Sequence, residues 1–88
     1  MFQVDLNDPA KRFAASLSRS DLERLYQCWL QLRMDPYRDG TGKIRIDFPP
    51  LVGLSLQLRG GFKTLYAVRG DVVTIFNAAW ETDPTPRP

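Results

Sequence analysis

The segment that most constrains the fold is residues 54–80, LSLQLRGGFKTLYAVRGDVVTIFNAAW. Apolar and polar residues alternate along 54–59, which is the pattern of a β-strand with one buried face. Two glycine-containing dipeptides, Gly60-Gly61 and Gly70-Asp71, then separate runs rich in aromatic and β-branched residues. Because glycine adopts positive φ angles without steric cost, such dipeptides between strands indicate hairpin turns. The segment therefore predicts three consecutive antiparallel strands.

The residues before this meander predict a short strand and two helices. Alternation over 2–6 indicates the strand, and Asp8, followed by proline, is typical of a helix N-cap. A second helix is predicted from Ser20, which has Glu23 at capping-box spacing, to about Met34. Its apolar residues form one stripe that we expect to be buried: Leu22, Leu25, Tyr26, Trp29 and Leu30.

Together these elements predict an α+β domain. Alternation over 43–48 adds a further strand, which ends before Pro49-Pro50. We expect a short N-terminal strand and two helices packed on one face of a four- to five-stranded, mainly antiparallel sheet. With 88 residues in the chain, we expect a single domain over 1–82 and a flexible, proline-rich tail over 83–88.

Composition argues against several classes of function. The chain has no histidine, which removes the commonest general base and most zinc sites, and we expect no metal or other cofactor. Cys28 is the one cysteine, so an intramolecular disulfide is impossible, and we expect a buried thiol in a cytoplasmic protein. No apolar run approaches the roughly 20 residues of a membrane span, so no membrane partner is expected.

The register of the meander decides which side chains share a face of the sheet. A two-residue loop at 60–61 would pair Arg59 with Phe62, whereas a three-residue loop with a glycine bulge would pair Leu58 with Phe62. We expect the second register, because it places the leucines of the first strand in the core. The opposite face then carries Ser55, Gln57, Lys63, Leu65, Ala67, Arg69, Val72, Thr74, Phe76 and Trp80.

This predicted face combines polar and basic groups with two large aromatic side chains, Phe76 and Trp80. Large aromatic residues grouped on a surface are typical of interaction sites, so one interpretation is a binding surface. The alternative is that Phe76 and Trp80 close a second small core against the tail. Complete burial of Phe76 by the chain's own residues would exclude the binding surface.

One motif in the meander resembles a known toxin family. Residues 58–68, LRGGFKTLYAV, are similar to the LR-x-G-x-YR-x-x-Y-x-V segment of the RelE/ParE superfamily of toxins from type II toxin–antitoxin systems. The order of elements over 8–76 is similar too. The resemblance implies a RelE/ParE-like fold and a toxin that an antitoxin protein neutralises. The RelE branch cuts messenger RNA in the ribosomal A site, and the ParE branch inhibits DNA gyrase.

The resemblance also implies candidate site residues. Lys63 matches a functional arginine of the motif and Arg59 matches its earlier arginine, so both are catalytic candidates that would stabilise phosphate charge. The two functional lysines of the RelE strand correspond here to Ser55 and Gln57, and no aromatic residue follows Trp80. The activity therefore stays open between an mRNA endoribonuclease, a gyrase inhibitor, and a non-enzymatic subunit that binds a protein partner or homodimerises through the sheet.

Overall fold

The architecture is a five-stranded mixed sheet with two helices on one of its faces. The computed structural model describes residues 2–37, 43–45 and 53–82, with the backbone alone at position 45. In chain order the elements are β1 (Gln3–Leu6), α1 (Asp8–Ala15), α2 (Arg19–Met34), β2 (Lys43–Arg45), β3 (Ser55–Arg59), β4 (Phe62–Arg69) and β5 (Val72–Trp80). The strand order is β1-β5-β4-β3-β2, in which β1 runs parallel to β5 and the other described neighbours are antiparallel. The predicted α+β fold is confirmed.

Both helices begin slightly earlier than the sequence predicts. Ser18 is the N-cap of α2, because its hydroxyl oxygen accepts a hydrogen bond from the Asp21 N–H at 3.3 Å. Ser20, the predicted cap, lies inside the helix. Asn7 occupies the N-cap position of α1, and Asp8 becomes the first helical residue. Each helix begins in a stretch with more than one short polar residue, so the sequence pattern alone does not show which residue is the N-cap.

Helix α2 buries one apolar stripe and exposes a second one. The buried stripe comprises Leu25, Cys28, Trp29 and Leu32. Tyr26 and Leu30, which were predicted to be buried, are 52% and 43% exposed, and Met34 is 64% exposed. Each residue advances about 100° around a helix, so these three positions lie one step beyond the buried stripe and turn away from the sheet. The prediction was wrong for Tyr26 and Leu30.

The hairpin between β3 and β4 has a two-residue turn, which gives the register opposite to the expected one. Arg59 pairs with Phe62, and Leu58 pairs with Lys63. The two turn glycines have φ angles of 65° and 86°, and positive values at both positions are what a type I′ turn requires. Directly paired residues share a face, so Arg59 lies on the helix side with Phe62 and Leu58 faces away. The predicted three-residue loop was wrong.

Hydrogen bonds to α2 explain this register. Gln57 is buried, and its Nε2 donates to the Cys28 carbonyl at 3.2 Å and to Gln31 Oε1 at 3.4 Å. The Cys28 thiol donates to the Arg59 carbonyl at 3.3 Å. At Gly60, an added Cβ would lie only 2.9 Å from Cys28 Sγ. Glycine at this position therefore lets the hairpin pack against Cys28 without a shift of either.

Strand β5 contains a bulge. The pairing with β4 shifts between Leu65 and Tyr66, and no residue of β4 is paired with Phe76. An extra residue in one strand reverses the faces of all residues beyond it. Trp80 consequently pairs with Phe62 and lies on the helix side of the sheet.

The core lies between the helices and the sheet. Its buried members are Ala10, Ala14, Leu25, Cys28, Trp29, Leu32, Phe62, Tyr66, Val73, Ile75 and Ala78. Strands β4 and β5 contribute Phe62, Tyr66, Val73 and Ile75 to this core. Residues 46–48 of the strand predicted over 43–48, and the predicted tail 83–88, lie outside the described residues. Within the described ranges, no helix is long and apolar enough to cross a membrane.

We predict that Gly60→Ala lowers the free energy of unfolding more than Gly70→Ala does. Both positions have positive φ (65° and 60°), so alanine costs about 1–2 kcal/mol at each. At Gly60 the contact with Cys28 adds about 1–3 kcal/mol, whereas a Cβ at Gly70 meets nothing within 4 Å. Denaturant unfolding measures both values. Adding Cys28→Ala should narrow the difference between the two variants, and equal losses without it would contradict this packing.

Candidate functional site

The two predicted catalytic residues lie on opposite sides of the sheet. Lys63 is exposed between the buried residues Phe62 and Thr64, so its side chain points away from the helices. Arg59 lines a groove beside α2 on the helix side. The sheet therefore separates the two cations. They share no surface on which both could contact one phosphate group, as their predicted catalytic role would need.

The other predicted binding residues divide in the same way. We use "open face" for the side of the sheet that points away from the helices. The strand pairing and the alternation of burial place Lys63, Arg69, Thr74 and Phe76 on the open face. They place Ser55, Gln57 and Trp80 on the helix side. The predicted single binding face was wrong for these last three residues.

The open face is mainly apolar. Its half-buried apolar residues outside the core are Leu56, Leu58, Leu65, Ala67, Val72, Phe76 and Ala79. Ile44, paired with Leu56, extends this surface into β2 and is 49% exposed. Among residues whose side chains the structure describes, Lys63 and Arg69 supply its positive charge. An apolar surface with so few cations suits a protein partner better than a phosphate backbone.

Phe76 and Trp80, which were predicted to act together, have different surroundings. Phe76 is half-buried on the open face, so the condition that would exclude a binding surface there is not met. Trp80 stacks on Phe62 with 4.8 Å between ring centroids and meets the edge of Phe13 at 6.1 Å. Trp80 therefore packs on the main core beside α1, and the predicted second core against the tail involves residues 83–88, which lie outside the described residues.

A groove on the helix side contains the second group of polar residues. It has a volume of about 520 Å³ and lies between α2 and the β3–β4 turn. Its lining residues are Arg24, Gln27, Cys28, Leu30, Gln31, Met34, Arg59 and Gly60. We call it the α2 groove.

The thiol in the α2 groove is not an activated nucleophile. Burial raises the pKa of Cys28 above its usual value, and the nearby charges of Arg59 and Arg24 oppose this shift only in part. The group therefore stays protonated at neutral pH, which disfavours thiolate chemistry. The part of the chain that the structure describes also holds no cluster of three acidic or cysteine side chains that would bind a metal ion.

One sequence signal could have identified the true faces. Gly60-Gly61 between two strands is typical of a two-residue type I′ turn, which pairs Arg59 with Phe62. A register one residue away would place every side chain of β3 on the other face. The bulge at Phe76 has no comparable signal, because it follows a regular run of β-branched residues.

Comparisons with known proteins identify the fold. Neither a protein-family model nor a curated protein sequence matches the chain. A chain of the RelBE2 toxin–antitoxin complex from Mycobacterium tuberculosis has a TM-score of 0.78 at 19% identity, covering 91% of this chain and 98% of that one. The isolated E. coli RelE toxin has a TM-score of 0.71 at 16% identity, with 94% and 87% covered. The YoeB/ParE toxin from Agrobacterium tumefaciens has a TM-score of 0.73 at 9% identity, with 92% and 100% covered. The chain therefore has the RelE/ParE-like toxin fold.

We predict that the same substitution has different effects on the two sides of the sheet. The Trp29 Nε1–H donates to Thr64 Oγ1 at 3.1 Å in the core. Thr64→Val leaves this donor unsatisfied and should lower the free energy of unfolding by about 1–3 kcal/mol. Thr74→Val on the open face should change it by less than about 0.5 kcal/mol. Denaturant unfolding of both variants tests the assignment, and similar losses would argue against it.

Proposed function

We propose that the protein is a toxin-like component of a type II toxin–antitoxin system and that it acts by binding a protein target through its open face. The fold is that of RelE, YoeB and ParE toxins. Several of these structures are complexes with an antitoxin, among them intact E. coli RelBE and Staphylococcus aureus YoeB–YefM. By analogy, an antitoxin protein is the proposed partner of this chain, and the cytoplasm is its proposed location.

The observation that carries this proposal is the separation of Arg59 from Lys63 by the sheet. Cleavage of RNA needs a group that removes the 2′-hydroxyl proton and cations that stabilise the developing charge on the same phosphate. Arg59 is absent from the open face, so it cannot act there with Lys63 on one phosphate. Gln57 is buried, and the chain has no histidine that would remove the proton. This arrangement supports action by binding rather than by cleavage.

The composition of the open face supports a protein such as DNA gyrase as the target. Half-buried leucines and Phe76 offer an apolar centre, and the exposed cations Lys63 and Arg69 lie at its margins. Protein interfaces combine an apolar, aromatic centre with a polar rim in the same way. We propose that Phe76 is the central contact, that Lys63 and Arg69 pair with acidic groups, and that Thr74 supplies a hydrogen bond.

The discriminating experiment is induced expression in a bacterial host, followed by two assays with purified protein. Inhibition of gyrase supercoiling without cleavage of messenger RNA would support the proposal. Cleavage of ribosome-bound messenger RNA would favour an endoribonuclease instead. Co-expression of a small reading frame adjacent to the gene should restore growth, since the antitoxin of such systems is usually encoded beside the toxin.

A non-enzymatic binding or assembly subunit is the second candidate function, and the same apolar open face supports it. A second copy of the chain could cover Leu56, Leu58 and Phe76, which would form a symmetric dimer. Harmless overexpression together with a stable dimer in analytical ultracentrifugation would favour this function. The dimer should then dissociate in a Leu58→Glu variant, because burial of an unpaired charge is costly.

We predict that substitutions on the open face relieve growth arrest. Lys63→Ala and Phe76→Ala should each weaken target binding by about tenfold or more, because residues at an interface centre or its charged contacts dominate affinity. Arg59→Ala, on the other side of the sheet, should retain toxicity, as should the control Arg19→Ala, whose side chain is 93% exposed. Colony counts after induction measure the effect. Equal relief by Arg59→Ala would contradict the separation of roles.

A further inference from the structure

The open face extends onto β1, where it carries an acidic residue. Val4 and Leu6 of this strand pack against the core. Asp5 lies between them and is exposed, and side chains alternate along a strand, so Asp5 points away from the helices. It is the one acidic residue in the five strands as the structure describes them. The proposed target-binding face therefore has an acidic position in addition to its two cations.

The strand pairing separates Asp5 from the cations of the open face. Asp5 pairs with Thr74 of β5, which in turn pairs with Ala67 of β4. Arg69 is two residues farther along β4, and neighbouring strands lie about 4.8 Å apart, so about 12 Å separates the Cα atoms of Asp5 and Arg69. Lys63 lies farther away, at the other end of β4. The described part of the chain contains no ion pair of Asp5, so its carboxylate is available to a ligand.

We propose that Asp5 is a selectivity residue of the open face, which pairs with a basic group of the protein target and repels nucleic acid. The inference rests on the proposed binding function of this face. A complementary target surface carries acidic groups opposite Lys63 and Arg69 and a basic group opposite Asp5. A nucleic acid backbone carries negative charge alone. A strand that contacts the two cations therefore also meets the repulsion of Asp5, which is strongest at low salt.

Protection of the sheet edge is the other role open to a charge on β1. This strand lies at the edge of the sheet, and charged residues on edge strands prevent pairing with another chain. Here α2 already covers the start of the edge. The Phe2 N–H donates to the Arg33 carbonyl at 2.9 Å, and Arg33 Nε donates to the Phe2 carbonyl at 3.2 Å. The Asp5 side chain, moreover, points out of the plane of the sheet, so the selectivity role is favoured.

Two variants with the same change of charge test the proposal on the full chain. Asp5→Asn removes one negative charge from the open face, whereas the control Glu23→Gln removes one from α2, where Glu23 is 71% exposed. Binding to immobilised DNA gyrase is measured by surface plasmon resonance. Binding of a labelled single-stranded RNA oligonucleotide is measured by fluorescence anisotropy. Both measurements are made at low and at high salt.

We expect Asp5→Asn to shift the two affinities in opposite directions. Its association rate with gyrase should fall about fivefold with little change in the dissociation rate, because charges at the margin of an interface act mainly on encounter. Its affinity for RNA should rise about threefold, and high salt should remove this difference. Asp5→Lys should enlarge both effects, and Glu23→Gln should produce neither. Circular dichroism should show intact folding of all variants, since both residues are exposed.

Three results would overturn the proposal. The first is gyrase binding by Asp5→Asn that equals that of the wild type. The second is RNA binding that is unchanged in Asp5→Asn, or that rises equally in Glu23→Gln and so reflects net charge alone. The third is self-association of Asp5→Asn beyond that of the wild type in analytical ultracentrifugation, which would assign Asp5 to edge protection. If the wild type does not bind gyrase, the proposed target fails, and the RNA comparison alone decides the role of Asp5.

Discussion

The two-residue turn at 60–61, closed against Cys28, is the constraint on which the arrangement of both surfaces depends. A Cβ at Gly60 would lie 2.9 Å from the Cys28 sulfur, so a side chain there would force the thiol or the hairpin to shift. The short turn then pairs Arg59 with Phe62, which directs the polar residues of β3 toward α2 and its leucines toward the open face. In this register Gln57 is the most deeply buried residue of β3, and its hydrogen bond to α2 satisfies its side-chain amide.

A second local irregularity completes the division of functions between the two sides. The bulge at Phe76 keeps that ring on the open face and turns Trp80 toward Phe62 and Arg24. The open face is consequently apolar with cations at its margins, and the helix side carries a groove with two arginines. A RelE/ParE-like fold thus presents two chemically different surfaces, with Lys63 on one and Arg59 on the other.

The sequence predicted the elements of the fold better than it predicted the faces. Alternation and paired glycines were sufficient for β3, β4 and β5, because both are local properties of the chain. The inward position of Gln57 depends on acceptors in α2, which is remote in sequence, so no local pattern indicates it. Tyr26 and Leu30 show the same limit: both are apolar at helical spacing, and only the position of the sheet decides which apolar stripe is covered.

The length of this turn also bears on how such a surface diverges during evolution. Insertion of a single codon between Arg59 and Phe62 would shift the pairing of β3 with β4 by one residue. The leucines and Gln57 of β3 would then exchange faces of the sheet in one event. No gradual series of point substitutions would pass through that exchange. A change of one residue in this turn would therefore alter the surface of β3 more than any single point substitution within the strand.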